Sequence, residues 1–282
     1  MIKKITFSLF IACFVSISTY ATGENWPIGG RSSGMANASV TLNDLWSICN
    51  NQAGLTGIKN FSAGLYYENR FGLKNLGLKA GAIAVPTKSG IFGLSITHFG
   101  YSQYNESKIG LAYAKAFGAK FSAGVQLDYL STHIAENYGN SSALAAEIGL
   151  RYQINKNLCI GAHIFNPTRA KVADYNNEHA PTIARLGLSY AFSEKLILAA
   201  ESEKDIDYAP VFKAGIEYRP IKQLYFRTGI STNPVLNAFG FGIEFKSFNL
   251  DFSASYHQAL GFTPQVSLIF HTSKLTGQPT IE

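Results

Sequence analysis

Six histidines are scattered along the chain, at His98, His133, His163, His179, His257 and His271. Past the first twenty residues only two cysteines remain, Cys49 and Cys159. No two histidines share a short strand at i, i+2 spacing, so no metal site is expected. There is no Gly-x-Ser-x-Gly elbow, phosphate loop, Cys-x-x-Cys or His-Glu-x-x-His. His98 or His133 beside a serine would be the start of a hydrolase site at a barrel rim, but a lone histidine at a strand end is more often an interfacial polar residue. No catalytic residue and no cofactor are expected. Two cysteines are too few for a disulfide framework. One bridge stays open; two free thiols are the simpler reading, because Cys159 falls in a strand and Cys49 in an irregular segment.

The other chemically capable residues are charges that recur at fixed phase: Glu68, Arg70, Asp128, Glu147, Arg151, Arg185, Lys213, Glu217, Arg219, Arg227, Glu244 and Asp251. Each stands in the polar phase of a segment that alternates with period two. Leu144, Ala146, Ile148, Leu150 and Tyr152 alternate with Ala145, Glu147, Gly149 and Arg151. Phe212, Ala214, Ile216 and Tyr218 alternate with Lys213, Gly215, Glu217 and Arg219. The runs Phe239–Phe245 and Phe248–Tyr256 behave alike. Strict alternation gives each strand one apolar and one polar face. Six acids and six bases nearly cancel, whereas a strongly ion-selective pore would show an excess of one sign. The balance predicts pairing across a lumen or contacts to a polar plug; the plainer reading is that charges avoid lipid. Glu147, Arg151, Arg185, Glu217, Arg219, Arg227 and Glu244 are the leading lumenal candidates.

The alternation predicts about fourteen strands, over 61–71, 76–86, 90–101, 106–116, 120–133, 142–153, 157–165, 181–191, 195–203, 210–219, 223–231, 238–245, 247–257 and 264–271. At ~9–12 residues each, they match a tilted strand crossing a bilayer. Composition agrees. Of 282 residues only 15% are charged, against a usual ~25%, while 13% are aromatic and 26 are glycine. That mix excludes a disordered chain, a coiled coil and a collagen. Joints such as Thr87-Lys88-Ser89, Gly118-Ala119 and Phe192-Ser193-Glu194 are tight, and they alternate with longer ones such as Ile134–Ser141, Asn166–Ala180 and Gln258–Thr263. Short turns alternating with loops mark an up-and-down outer-membrane barrel with its turns in the periplasm. A soluble sandwich or lipocalin-like barrel alternates as well, but the length and number of strands favour the membrane. Fourteen strands close a barrel too wide for its own side chains to fill, so the lumen needs water, a plug or a ligand.

The chain start reads as an address. Lys3 and Lys4 precede an apolar run from Ile5 to Ile17, and Thr19-Tyr20-Ala21 offers small residues for cleavage, the pattern of a secretory signal peptide over 1–21. Phe10-Ile11-Ala12-Cys13 is a poor lipobox. The formal net charge is +6, or about +4 without the leader, and the basic residues form no block, so nucleic acid is not an expected partner. The predicted organisation is a leader (1–21), an N-terminal plug or hatch (22–60), a transmembrane barrel (61–272) and a C-terminal periplasmic tail (273–282).

Residues 22–60 lack strand alternation. They carry small residues that let backbone pack inside a tube, and apolar anchors at Trp26, Met35, Val40, Leu45 and Trp46 that a free tail would not need. The stretch Gly29-Gly30-Arg31-Ser32-Ser33-Gly34-Met35-Ala36-Asn37-Ala38 resembles the opening of the PorV/PorQ family, outer-membrane barrels of Bacteroidetes related in architecture to the FadL long-chain fatty acid transporters. Asn43-Asp44-Leu45-Trp46 resembles the acidic-aromatic stretch that follows there. Asn51-Gln52-Ala53-Gly54-Leu55 resembles the family's Asn-Pro-Ala-Gly-Leu hatch motif, with Gln52 in place of proline, which frees φ and restores an N–H. Ser255–Leu268 is similar to the family's last hairpin. The resemblance implies a fourteen-stranded all-β antiparallel barrel with a lumenal hatch. It also implies a role as a type IX secretion accessory, partnered by secretion proteins or cargo. The alternative is a FadL-like channel admitting a hydrophobic small molecule; outer-membrane lipid surrounds the barrel in either case. The loop 166–180 is charged and Asn-rich, with Tyr175 as its one aromatic, which decides for neither. The mature protein is expected to start near Thr22, to fractionate with outer membranes and to change gel mobility on boiling; recovery as a soluble periplasmic protein would overturn the barrel.

Overall fold

The computed structural model describes residues 25–135, 139–173 and 178–272. The leader, the tail after residue 272, Asn137, Tyr175 and Asn177 lie outside the described residues. Fourteen antiparallel strands close into one barrel. In chain order they are β1 (Ser62–Asn69), β2 (Gly77–Pro86), β3 (Ile91–Tyr101), β4 (Tyr104–Phe117), β5 (Phe121–Ile134), β6 (Gly139–Gln153) and β7 (Leu158–Phe165), then β10 (Ile183–Ser193), β11 (Leu196–Asp205), β12 (Val211–Ile221), β13 (Leu224–Ser231), β14 (Leu236–Glu244), β15 (Phe248–His257) and β16 (Gly261–His271). Between β7 and β10, β8 (Lys171–Ala173) and β9 (Glu178–His179) form a separate two-stranded sheet. Closure runs from Ser62 opposite His271 to Glu68 opposite Gln265.

Each strand buries its polar phase and exposes its apolar one. Leu65, Leu111, Leu144 and Leu186 are each more than 60% exposed, while Glu147, Glu217 and Asp128 in the opposite phase are buried. An apolar exterior over a polar interior is the inverse of a soluble barrel and fits a wall that faces lipid. Aromatic pairs ring the turn end on the outside, among them Phe92–Tyr113, Phe117–Phe121, Tyr190–Phe192 and Phe248–Phe270, at the depth where aromatic side chains meet headgroups.

The loop asymmetry is smaller than the spacing predicts. Residues 102–103 and 258–260 are turns as tight as those of the opposite end, because β4 and β16 start earlier and their ladders run to Tyr101–Tyr104 and His257–Gly261. Asn105 and Thr263 read as loop, yet both lie inside strands. The long connection is 166–182. Asn166 holds its base: its side-chain amide donates to Ala180 O (2.9 Å), and its Oδ1 accepts from Ala170 N (2.9 Å). Val172 and Ala180 then pack on Leu130, Ala145, Phe165 and Ile183 inside the lumen.

Replacing Leu111, near the middle of β4 on the outward face, with arginine is expected to cost about 2–4 kcal/mol of folding into vesicles. Leu73→Arg, beyond the strands, is expected to cost about 0–1 kcal/mol. Equal costs, measured by denaturant titration in vesicles, would mean that the apolar band does not face hydrocarbon.

Candidate lumenal binding site

The lumen is occupied by the chain's own residues 25–60. After Gly29, whose φ of +118° suits glycine, come α1 (Gly30–Gly34), α2 (Ser47–Asn50) and a 3-10 turn (Gln52–Gly57). Small residues set how close this segment comes to the wall. A Cβ on Gly34 would stand 3.0 Å from the Gly240 Cα on β14, and, within the segment itself, one on Gly54 only 2.3 Å from the Leu42 carbonyl. Met35 lies on Gly215 and Gly229 of β12 and β13, clustered with Ala38, Leu42 and Ala199. Ala36, at φ +52°, faces the loop end.

The segment has an apolar and a polar side. Ile28, Leu45, Trp46, Ile48, Cys49 and Leu55 pack on the inward faces of β1–β4 and β16, against Tyr66, Leu78, Ala82, Ala112 and Ile269. The opposite side meets a belt of charges. Arg31 donates two bonds to Glu217, 2.8 and 2.7 Å, and approaches Asp44 at 3.4 Å. Arg227 bonds Glu217 and Asp251, both at 2.6 Å. Glu201 accepts the backbone N–H groups of Ser39 and Val40 at 2.7 and 2.8 Å. Arg151 Nε donates to the Thr41 carbonyl at 3.0 Å. Asn51 donates to the Val40 carbonyl (2.6 Å) and, across to the wall, to that of Leu150 (3.1 Å), while its Oδ1 caps Ala53 N. Ala53 itself is buried.

Of the inward carboxylates Glu147, Glu217 and Glu244, it is Glu217 that takes Arg31. Glu147 instead gathers Lys108 (3.0 Å), His163 (2.8 Å) and the Gln52 amide (2.6 Å). The side chain of Gln52 thus supplies a bond to the wall that proline would not. Glu244 sits at the turn-end mouth, bonded to the Tyr225 hydroxyl and 3.9 Å from Arg219, which donates to the Lys222 carbonyl. Arg185 bonds Glu203 at 2.6 Å, and Lys213 lies between Glu203 (2.8 Å) and Glu201 (3.2 Å). Lys108, Glu201 and Glu203 were missing from the lumenal set read from the sequence. Their phase exposes them: Glu106 and Lys108 alternate against Ile109 and Leu111, and Glu201 and Glu203 fall in step with Ala199.

Among the described residues the histidine bonded to a carboxylate is His163, on Glu147, and its other ring nitrogen meets no serine. His98 Nδ1 meets Ser107 at 2.9 Å on the outward face, in a row with Lys79, Ser131 and Ser142. His133 meets Asn140, and His271 meets Ser62. Cys49 and Cys159 are free and buried, and burial pushes the Cys49 thiol up to about 12.

Above the segment, at the loop end, lies a vestibule of about 1030 Å³. Asn25, Trp26, Pro27, Ala36 and Asn37 contribute to its lining from the N-terminal segment. Phe71, Ile183, Tyr208, Val211, Leu236 and Leu260 give apolar wall, and Glu68, Arg70, Glu203 and Lys213 are its paired charges. The Arg70 guanidinium lies 3.5 Å over the Trp26 ring and 5.0 Å from Phe99. A much smaller recess of about 210 Å³, lined by Arg31, Asp44, Glu217, Arg219, Tyr225 and Glu244, opens at the turn end. The N-terminal segment separates the two.

No protein-family model matches this chain, and no curated protein matches it in sequence. Solved structures do. The Ralstonia pickettii toluene transporter TbuX is 14% identical with a TM-score of 0.66, over 86% of this chain and 98% of that one. The Pseudomonas putida toluene transporter TodX is 12% identical with a TM-score of 0.66, over 88% and 97%. A Pseudomonas aeruginosa FadL homologue is 13% identical with a TM-score of 0.61, over 89% and 99%. At these identities the likeness is one of fold: this is a FadL-like transmembrane barrel.

Glu217→Ala leaves Arg31 and Arg227 short of a counter-charge, at a cost of about 3 kcal/mol. Cys49 then serves as the reporter. In a Cys159→Ser background an impermeant maleimide is expected to label Cys49 roughly a hundredfold faster than with Glu217 intact, with the barrel still heat-modifiable. Unchanged labelling would mean that the ion cluster does not hold the segment in place.

Proposed function

We propose that this protein is an outer-membrane channel for hydrophobic small molecules, with residues 22–60 as its hatch, its turns in the periplasm and its vestibule open to the outside. The vestibule carries this reading. It is a concave space of ligand size, with aromatic and aliphatic walls, above a segment that fills the lumen and is held there by apolar packing on one side and polar contacts on the other. The fold neighbours support it, since TbuX and TodX are described as toluene transporters and TodX also as a monoaromatic hydrocarbon channel. Irregular backbone at membrane depth is tolerated inside a barrel because its polar groups find partners there, so a hatch of this kind needs no regular structure.

The type IX secretion reading rests on the motif resemblance in residues 29–55 and 255–268. The neighbours named above add nothing to it, and the vestibule favours a small ligand over a protein.

The test is transport. Cells making the protein are expected to take up toluene faster than cells lacking it. Phe71→Ala with Leu236→Asp, which removes apolar wall and adds a charge, is expected to lower that rate at least about fivefold without loss of barrel assembly. If uptake does not depend on the protein, and secretion-system proteins co-purify with it, the secretion reading replaces this one.

A further inference from the structure

Among the described residues, three N–H donors at the floor of the vestibule have no acceptor: Asn25 Nδ2, Trp26 Nε1 and Arg185 Nη1. Asn25 is 4% exposed and Arg185 3%. Asn25 and Trp26 line the vestibule, and Arg185 reaches the same place, donating to the Asn25 carbonyl at 3.3 Å and to the lining carboxylate Glu203. The orientation of the Asn25 amide is fixed chemically. Its Oδ1 accepts from Lys108 Nζ at 2.7 Å, and an ammonium has only donors, so the oxygen faces Lys108 and the NH₂ is the group left over. Buried donors without acceptors are rare and costly in folded proteins. Three on one cavity floor call for an acceptor from outside the chain.

The charges decide what kind. The buried cations at the floor already have their carboxylates: Arg70 has Glu68, Arg185 has Glu203, Lys213 has Glu203 and Glu201, and Lys108 has Glu147, while Arg169, also in the lining, is exposed to solvent. Those carboxylates are engaged in turn, Glu201 by two backbone N–H groups and Glu147 by Gln52 and His163. No spare buried positive charge is left at the floor to compensate an anion placed there, and burying an uncompensated one is costly. Asp205 and Asp207 in the lining would repel it further. A cationic ligand would meet three donors on the floor against one unpartnered acceptor, Asn37 Oδ1. A bare hydrocarbon would leave all three donors unserved.

We propose that the vestibule selects hydrophobic molecules carrying a neutral oxygen acceptor, such as an alcohol, ketone or ester, with the oxygen on Asn25, Trp26 and Arg185 and the hydrocarbon body against Phe71, Ile183 and Leu236. This rests on the channel reading and sharpens its substrate class. The specificity resides in the donors, so a ligand of unchanged carbon skeleton gains affinity only through its oxygen.

Octane, 1-octanol, 2-octanone and octanoate form the probe set. Their binding to the full mature protein in nanodiscs is measured against empty nanodiscs, which removes simple partition into lipid. The alcohol and the ketone are expected to bind about tenfold more tightly than octane or octanoate, the worth of one or two neutral hydrogen bonds. Asn25→Asp keeps the oxygen that Lys108 needs and removes the free N–H. Trp26→Phe keeps a ring under Arg70 and removes the indole N–H. Each variant is expected to lower the oxygen advantage at least about threefold while octane binding stays within twofold, the heat-modifiable gel shift reporting an intact barrel. Equal binding of octane and octanol to the unsubstituted protein would mean that water alone serves the donors, and tightest binding of octanoate would mean that charge governs; either overturns the inference and leaves the channel standing. Binding of none of the four overturns both.

Discussion

Closing fourteen strands leaves a lumen that inward side chains do not fill, and the rest of this structure answers that constraint. The chain fills the space with its own N-terminal segment, most of which has no regular structure. Its unpaired amides and carbonyls must then be served from the wall. Glu201 takes two backbone N–H groups, Arg151 donates to one carbonyl, and Asn51 spans from the segment to the wall. The lumenal charges are therefore arranged for an occupant as much as for one another.

The two sides of the segment are held differently. Apolar packing on β16 and β1–β4 is non-directional and scales with buried area. The contacts on β6 and β11–β15 are directional, and several join opposite charges under low exposure. Removing one member of such a set strands the others, which is why buried ion clusters are hard to break singly. Arg31 heads the ionic side: it sits in the first turn past Gly29, and its guanidinium is bidentate on Glu217.

Above the plug the same polar economy continues into the vestibule. The Arg70 stack on Trp26 and Phe99 ties the first described turn of the segment to the loop end of β1 and to β3. The floor is thus made of the plug itself, so whatever occupies the vestibule touches the element that closes the lumen.

The barrel was legible in the sequence because lipid imposes period two on every strand: charges such as Glu147 and Glu217 have one side on which to lie, and Leu111 or Leu144 the other. Strand ends were less legible, since Asn105 and Thr263 look like loop while ladder pairing carries the strands past them. Partner choice was not legible at all. Alternation says that Glu147, Glu217 and Glu244 face inward, but which one meets Arg31 depends on strand tilt and on the path of the segment, and only the closed barrel sets both. Likewise Gln52 in place of proline read as a lost constraint, whereas the fold puts its amide on Glu147. The sequence by itself determined which residues face lipid and which face in, because that is a local, periodic property. The tertiary structure decided which inward residues pair and which buried donors are left without a partner, because those depend on distances between strands remote in sequence.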